Sequence, residues 1–356
     1  MTGPLIQAAD PVQPLGSATK QYVDAVNIRY RNRIINGDMS VDQRNGGAQI
    51  AMGATGWAMD RWRFLNAGSV PSSGSYGQAV ISSPPSGFPF SYLISFATST
   101  AYSTPAAGAI VNFYQSIEGY NFLDAQWGTA NAQPVVVEFW ASAAVAGTYG
   151  LAVQNGASGR SYVTTFTLPA ATWTKVRVNI SGDQSGTWNV AGNAAALLLG
   201  FQLCVGSTYL TSTLNAWQTG NFWGATGAAN VLGAVNNALR ITGVALMVGA
   251  AAQNAEPAFK SYADNLIDCQ RYYAANLRVY FNSPASGGAS TGAVVNSSFP
   301  VTMRANPSMV ITVNSNSNLN APVFAYLNPN YFYGGGTIAA TGLYTINMGG
   351  TADADF

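Results

Sequence analysis

Fourteen acidic side chains carry the acid–base chemistry open to this 356-residue chain, because it contains no histidine. The missing imidazole excludes Ser-His-Asp and Cys-His catalysis, histidine metal sites and histidine proton transfer together. What remains is a carboxylate pair of the kind that cuts glycosidic bonds, with its two carboxyl groups about 5–10 Å apart. Asp38, Asp42, Asp60, Glu118, Asp124, Glu138 and Asp183 are the candidates. Simpler roles fit several acids. Asp183 follows Gly182 in a turn, Asp60 is expected to pair with a nearby arginine, and Asp264 belongs to a helix start. No Walker loop, dinucleotide fingerprint or Cys-x-x-Cys occurs. The sequence therefore predicts no catalytic residue, no cofactor and no metal ligand set.

Binding chemistry is better represented. A pyranose stacks its C–H face on an exposed aromatic ring while neighbouring amides bond its hydroxyl groups. Asn215-Ala216-Trp217-Gln218 and Asn221-Phe222-Trp223-Gly224 have that composition in an expected loop, and Asn330-Tyr331-Phe332-Tyr333 repeats it before Gly334-Gly335-Gly336. Trp217, Phe222, Trp223, Tyr331, Phe332 and Tyr333 are thus candidate sugar contacts. The same residue types also suit a subunit interface. Trp140 and Trp173, inside strand patterns, read as core or interface residues. Asn36-Gly37-Asp38 has oxygens suited to calcium, but a plain turn explains it as well. Arg44, Arg61 and Arg271 are expected to tie strands together through bidentate bonds.

The elements that must position these residues are mainly β. Only 8% of the residues are charged, against 48% hydrophobic and 12% aromatic, and 38 are glycine. An ordinary soluble domain carries about 25% charged residues, so much of this surface is expected to be covered by identical subunits or a larger assembly. Lys20, Lys175 and Lys260 are the lysines, while Thr, Val, Tyr and Phe are plentiful, a bias toward strands joined by Gly/Asn turns. Val135–Trp140, Thr172–Ile180, Leu197–Val205 and Leu239–Val248 read as strands. Val176, Val178 and Ile180 alternate with Lys175, Arg177 and Asn179. Asn155-Gly156, Ser158-Gly159, Gly182-Asp183 and Asn236-Asn237 supply turns.

Three regions follow. Residues 1–30 form a proline-bearing arm and a short helix from Ser17, with Leu15, Ala18, Tyr22 and Ala25 in a narrow 3-4-3 seam. Such a short helix needs a partner: its own copies, a particle or the chain's own domain. Residues 31–273 form a jelly-roll β-sandwich ending in a helix capped by Ser261, with Tyr262, Leu266, Cys269 and Tyr273 at 4-3-4 spacing. Residues 274–356 form a small C-terminal β-domain with a Gly/Ser/Ala-rich loop at 283–292. Net charge is +1 without a basic run, which argues against nucleic acid. No stretch of ~18 apolar residues predicts a membrane helix. Met1-Thr2-Gly3-Pro4 lacks the layout of a secretory signal, so synthesis in the producer's cytoplasm is expected. Cys204 and Cys269 read as buried small hydrophobes.

Four groups of motifs, in consistent order along nearly the whole chain, resemble bacteriophage tail-fibre proteins. Ala8-Ala9-Asp10-Pro11 with Ala18–Asp24 resembles the leader of phage fibre and collar proteins. Asn36-Gly37-Asp38-Met39-Ser40-Val41, then Gln43-Arg44, then Asp60-Arg61-Trp62, resembles the opening of a fibre jelly roll similar to carbohydrate-binding modules. Ile241–Val244, Gly249 and Ser261–Asp264 to Cys269-Gln270-Arg271-Tyr272-Tyr273 resemble its closing strand and helix. Phe299–Arg304 with Pro307 resembles a C-terminal β-module. The resemblance implies a non-enzymatic virion protein, a homotrimer held to other virion proteins by residues 1–30 and presenting β-domains to a host-surface glycan. It leaves open a capsid-attached head fibre or decoration protein, and a depolymerase tailspike.

Overall fold

The computed structural model describes residues 31–68, 74–95, 101–250, 252, 256–285, 292–340 and 342–356. The expected arm and helix, with Leu15, Ala18, Tyr22 and Ala25, lie outside these residues. By contacts the described chain forms two compact units. The first comprises residues 31–39, Gln49–Ala58 and Arg63–Phe259; the second comprises Ser40–Ala48, Met59–Trp62 and Lys260–Phe356. The helix expected at the end of the sandwich groups with the second unit.

With strands numbered in chain order, the first unit has two facing sheets. The six-stranded sheet runs β1 (Ile50–Ala51), β4 (Ser75–Val80), β5 (Phe90–Ser95), β15 (Ala238–Val248), β7 (Val135–Ala143), β10 (Thr174–Ile180). The seven-stranded sheet runs β13 (Trp217–Thr219), β9 (Arg160–Leu168), β8 (Gly147–Asn155), β11 (Ala195–Val205), β6 (Ile110–Glu118), β3 (Trp62–Ala67), β2 (Gly56–Met59). Successive strands cross repeatedly from one sheet to the other, the pattern of a jelly-roll sandwich. Period-2 alternation decides the faces. Phe139 of β7 points inward, meeting Phe201 of β11 edge-on at 5.0 Å and Phe166 of β9 at 5.0 Å. Tyr92 of β5 stacks on Phe113 of β6 at 3.6 Å. Each buried ring contributes roughly 1.5–3 kcal/mol of apolar transfer. A small parallel pair, β12 (Leu210–Thr211) with β14 (Gly224–Ala225), completes this unit's strands. Gly37 has little room for a side chain, since a Cβ would stand 2.0 Å from the Val244 carbonyl oxygen. Met39 N–H donates to the Asn36 carbonyl (3.2 Å), so Asn36–Met39 is a turn.

The second unit packs two three-stranded antiparallel sheets. One is β16 (Tyr273–Ala285), β21 (Gly342–Asp353), β18 (Ser308–Ser317); the other is β17 (Gly292–Ser298), β20 (Tyr331–Ile338), β19 (Leu319–Asn328). Leu277, Val279, Phe299, Met303, Phe324, Phe332, Ile346 and Met348 form its core. Helix α1 (Tyr262–Gln270) starts as its sequence predicts, with Asp264 N–H donating to Ser261 Oγ at 3.2 Å. Its buried side differs from the expected seam. Asn265 and Cys269 are buried, Tyr262 is 58% exposed, and Tyr273 already belongs to β16 because the helix stops at Gln270. Likewise β16 continues to Ala285, into the segment expected as a loop.

A charged lattice holds this unit's segments together. Arg44 spans Asp353 (2.7 and 3.3 Å) and reaches Asp355 (3.2 Å). Arg61 pairs with Asp355 and lies 3.6 Å over the Tyr272 ring. Arg304 donates to the Ala354 and Asp355 carbonyls (2.7 and 3.2 Å) and covers the Phe356 ring at 4.1 Å. Asp60 accepts from the Gln43 N–H (2.5 Å) and from Gln43 Nε2 (2.8 Å), which also reaches the Tyr273 carbonyl. Burial pushes the Asp60 carboxyl up from 3.8 to about 6, against the lowering pull of Gln43 and Arg44. The folded state therefore binds this proton more tightly than the unfolded chain. The stability it contributes is greatest below about pH 4 and is lost as pH rises to about 6. Asp60→Asn does not titrate, so its melting temperature relative to the parent should climb in the variant's favour between pH 4 and 7. A constant offset across that range would refute the shift.

Candidate functional site

The expected sugar contacts separate into packed and open groups. Trp217, in edge strand β13, joins Trp127 (5.0 Å) and Trp188 (5.4 Å) in an edge-to-face cluster, with Tyr162 beside it at 5.3 Å. All three indole N–H groups are used: Trp127 on the Gln133 carbonyl (2.6 Å), Trp188 on Ser185 and Asp183, Trp217 on the Ser181 carbonyl (2.7 Å). Trp223 is buried against the outer face of the seven-stranded sheet, with Tyr114 at 5.6 Å. Glycine at position 200 admits it there, since a Cβ would meet the Trp223 ring at 2.6 Å. Phe222 is half-buried in the same cluster, and its carbonyl accepts from Gln154 Nε2 at 2.7 Å. The segment expected as an open loop is thus held down on the sheet. Tyr331, Phe332 and Tyr333 lie in β20, the central strand of its sheet. Phe332 is core, Tyr331 is 50% exposed and Tyr333 is half-buried.

A groove of about 370 Å³ in the first unit brings together residues that the sequence did not mark as a site. Its lining includes Trp173, Arg240, Ser82, Ser83 and Ser142 above small Ala side chains. The sheet explains the grouping. Phe139 points inward, so Trp140 and Ser142 two-residue alternation sends outward, and the register places Ser142 opposite Arg240 and Trp140 opposite Lys175 and Thr242. The end of β7 is clamped from both sides: Ala144 N–H donates to the Ala238 carbonyl (2.8 Å) and Ala171 N–H to the Ala143 carbonyl (2.7 Å). Ala171 takes φ +50° to make that turn, a conformation costing an L-residue roughly 1–2 kcal/mol. Trp173 stands two residues further on. Its ring is half-buried, and neither Trp173 nor Trp140 has a ring partner or an indole hydrogen bond among the described residues. Arg240 is exposed and likewise has no partner among the described residues.

The motif residues Gln43, Arg44, Asp60 and Arg61 meet in the second unit's lattice, and Trp62 is fully buried there. Arg271 reaches the Thr302 carbonyl at 3.4 Å, while Gln270 ends α1. Asn36, Gly37 and Asp38 belong to the turn in the first unit, where Asp38 presents its carbonyl to Thr242. Five candidate acids have structural partners. Asp42 accepts from the Asn45 and Gly47 N–H groups, Asp60 from Gln43, Asp124 from Arg33, Glu138 from Arg177 and Lys175, and Asp183 from Arg160. Glu118 is buried. No group of three or more Cys, Asp or Glu side chains is arranged for a metal ion among the described residues. Cys204 and Cys269 are free and buried, and burial pushes the Cys204 thiol up to about 12. No helix among the described residues is long and apolar enough to cross a membrane.

No family model matches the chain, and no curated protein matches it. Solved structures do. The enzymatically active domain of tailspike protein 4 of bacteriophage CBA120 is 13% identical with a TM-score of 0.32; the match covers 65% of this chain but 22% of that one. A xylan-binding domain of the CBM22-1 type from Paenibacillus barcinonensis is 9% identical with a TM-score of 0.27, covering 57% of this chain and 95% of that one. A family 11 carbohydrate-binding module from Clostridium thermocellum, in complex with a mixed-linked tetrasaccharide, is 9% identical with a TM-score of 0.27, covering 56% and 98%. Similarity this low assigns the chain neither a family nor a ligand.

Partner satisfaction separates the tryptophans experimentally. Trp127→Ala should cost about 3–5 kcal/mol, as for a large buried ring. Trp173→Ala and Arg240→Ala should each cost about 1 kcal/mol or less in denaturant unfolding. A loss at Trp173 equal to that at Trp127 would make it a packing residue.

Proposed function

We propose that this chain is a non-enzymatic structural protein of a bacteriophage particle, of the tail-fibre type, that recognises a glycan on the host surface. The groove beside Trp173 carries the recognition half of this reading. A half-buried ring with no ring partner among the described residues, an uncommitted guanidinium and three hydroxyl groups above small side chains are what a saccharide needs: one apolar face to stack on and short polar groups to orient it. The phage half rests on the ordered sequence motifs, from the Ala8-Ala9-Asp10-Pro11 leader to Phe299–Arg304. On this reading residues 1–30 hold the chain to the particle and three copies associate. The low charge and the open apolar residues Val294, Val310, Tyr280 and Tyr331 in the second unit support burial between copies. Weak single sites suffice, because several engaged together raise avidity by about 10²–10⁴.

A head-attached fibre or decoration protein shares the same layout and differs in where residues 1–30 dock. A depolymerase tailspike would instead release reducing ends from host polysaccharide and lose that activity on replacement of one carboxylate.

Trp173→Ala should weaken attachment of the purified chain to host cells about tenfold or more, the cost of removing a central Trp contact, without changing its mass in solution. Unchanged attachment would remove the groove from the reading. Deleting residues 1–27 should abolish incorporation into particles while leaving the far-ultraviolet β signature intact; particles that still carry the shortened chain would refute the anchor.

A further inference from the structure

We infer that the Trp173 groove selects an acidic saccharide, one bearing a carboxylate, with Arg240 as the residue that reads the charge. The inference rests on the glycan reading above and specifies its ligand.

Charge accounting around the groove is the first support. Among the described residues its lining holds one cation, Arg240, and no acid. The wider sequence agrees: residues 61–117, 139–182 and 184–255 contain no Asp or Glu. Those three stretches supply Ser82 and Ser83, Ser142 and Trp173, and Arg240. Among the described residues Arg240 has no acidic partner.

The other cations on that sheet face are committed. Lys175 bridges Glu138 (3.0 Å) and Glu256 (2.8 Å). Arg177 pairs with Glu138 (2.7 Å) and donates to the Ala252 carbonyl (2.8 Å). Elsewhere Arg33, Arg44, Arg61 and Arg160 all hold carboxylates. Among the described residues, Arg31, Arg240 and Arg278 have no acidic, hydrogen-bonding or ring partner. Of these, Arg278 lines a second groove, in the second unit, but the aromatic ring there, Tyr273, is already covered by Arg44 at 4.0 Å. Arg240 is the one that shares a groove with an uncovered indole.

Chemistry then selects the ligand. A guanidinium grips a carboxylate through two parallel N–H···O bonds, roughly twice as strong as neutral ones. One guanidinium balances one carboxylate, whereas a phosphomonoester of about −1.5 to −2 would be left undercompensated. With the pyranose face on Trp173, a carboxylate at the ring edge meets Arg240, and Ser82, Ser83 and Ser142 serve the hydroxyl groups.

The test uses the full chain on an array in which acidic oligosaccharides sit beside neutral counterparts: oligogalacturonate with its methyl ester, hyaluronan fragments with their carboxyl-reduced forms, and sialyllactose with lactose. Calorimetry on the best pair follows. The expected result is an acidic member bound roughly tenfold or more tightly than its neutral twin. Arg240→Gln should erase that preference, acidic and neutral members then binding alike, and Trp173→Ala should weaken both. Equal affinity within each pair, or a preference that survives Arg240→Gln, overturns the charge reading and leaves glycan binding standing. Binding to no member of any pair overturns both.

Discussion

The second unit depends on an ion-pair lattice closed around its last four residues. Asp353, Ala354, Asp355 and Phe356 are held by Arg44, Arg61 and Arg304, two of which come from short segments far upstream in the chain. Burying such charges costs several kcal/mol per ion and is recovered only with near-complete pairing and hydrogen bonding. Here the guanidinium planes also lie on Tyr272, Tyr273 and Phe356, which lets the aromatic rings share the solvation that water would have given. A chain with so few charges spends a large share of them on this one task. The lattice adds to the hydrophobic core of a unit whose sheets have three strands each.

The first unit solves a different problem with the same rule. Many of its buried polar groups are paired: three indoles in one cluster each find an oxygen, and Gln154 and Gln202 fasten the segment around Trp223 to the sheet. The Ser91 and Tyr92 hydroxyls and the Asn112 amide are buried without a hydrogen-bond partner among the described residues. At the Trp173 groove an aromatic ring and a guanidinium without partners among the described residues lie side by side. The left-handed turn at Ala171 is held by the bond its N–H makes to the Ala143 carbonyl.

Much of the architecture was legible in the sequence. The strands at Val135–Trp140, Leu197–Val205 and Leu239–Val248 have their expected places, and Ser261 caps the helix as its spacing predicts. The candidate site was not legible, for a physical reason. Trp173 sits in a strand-like pattern, and alternation says which residues share a face but not whether that face is covered. Its neighbour Arg240 comes from a strand paired through Ser142, a contact fixed by register rather than by local sequence. Trp223 failed in the opposite sense. Its amide-rich surroundings look like a binding loop, yet the amides hold the loop against Gly200 and Gln202. The aromatic run before the glycines at 334–336 has the composition of a sugar contact, whereas it lies in a central strand that continues through Gly334, with Val279 close above it. The helix seam went astray because a helix of nine residues ends before Tyr273.

The upstream origin of the arginine clamp also bears on inheritance. Arg61 meets Asp355 across 294 residues and Arg44 meets Asp353 across 309. A recombination event that swapped the gene's 3′ end beyond the helix would import new aspartates to face old arginines. The β-rich tail is therefore not a free cassette. Its successful exchange requires the two short upstream segments to travel with it or to match it already, so lineages should keep residues 40–48, 59–62 and the tail as one co-inherited block.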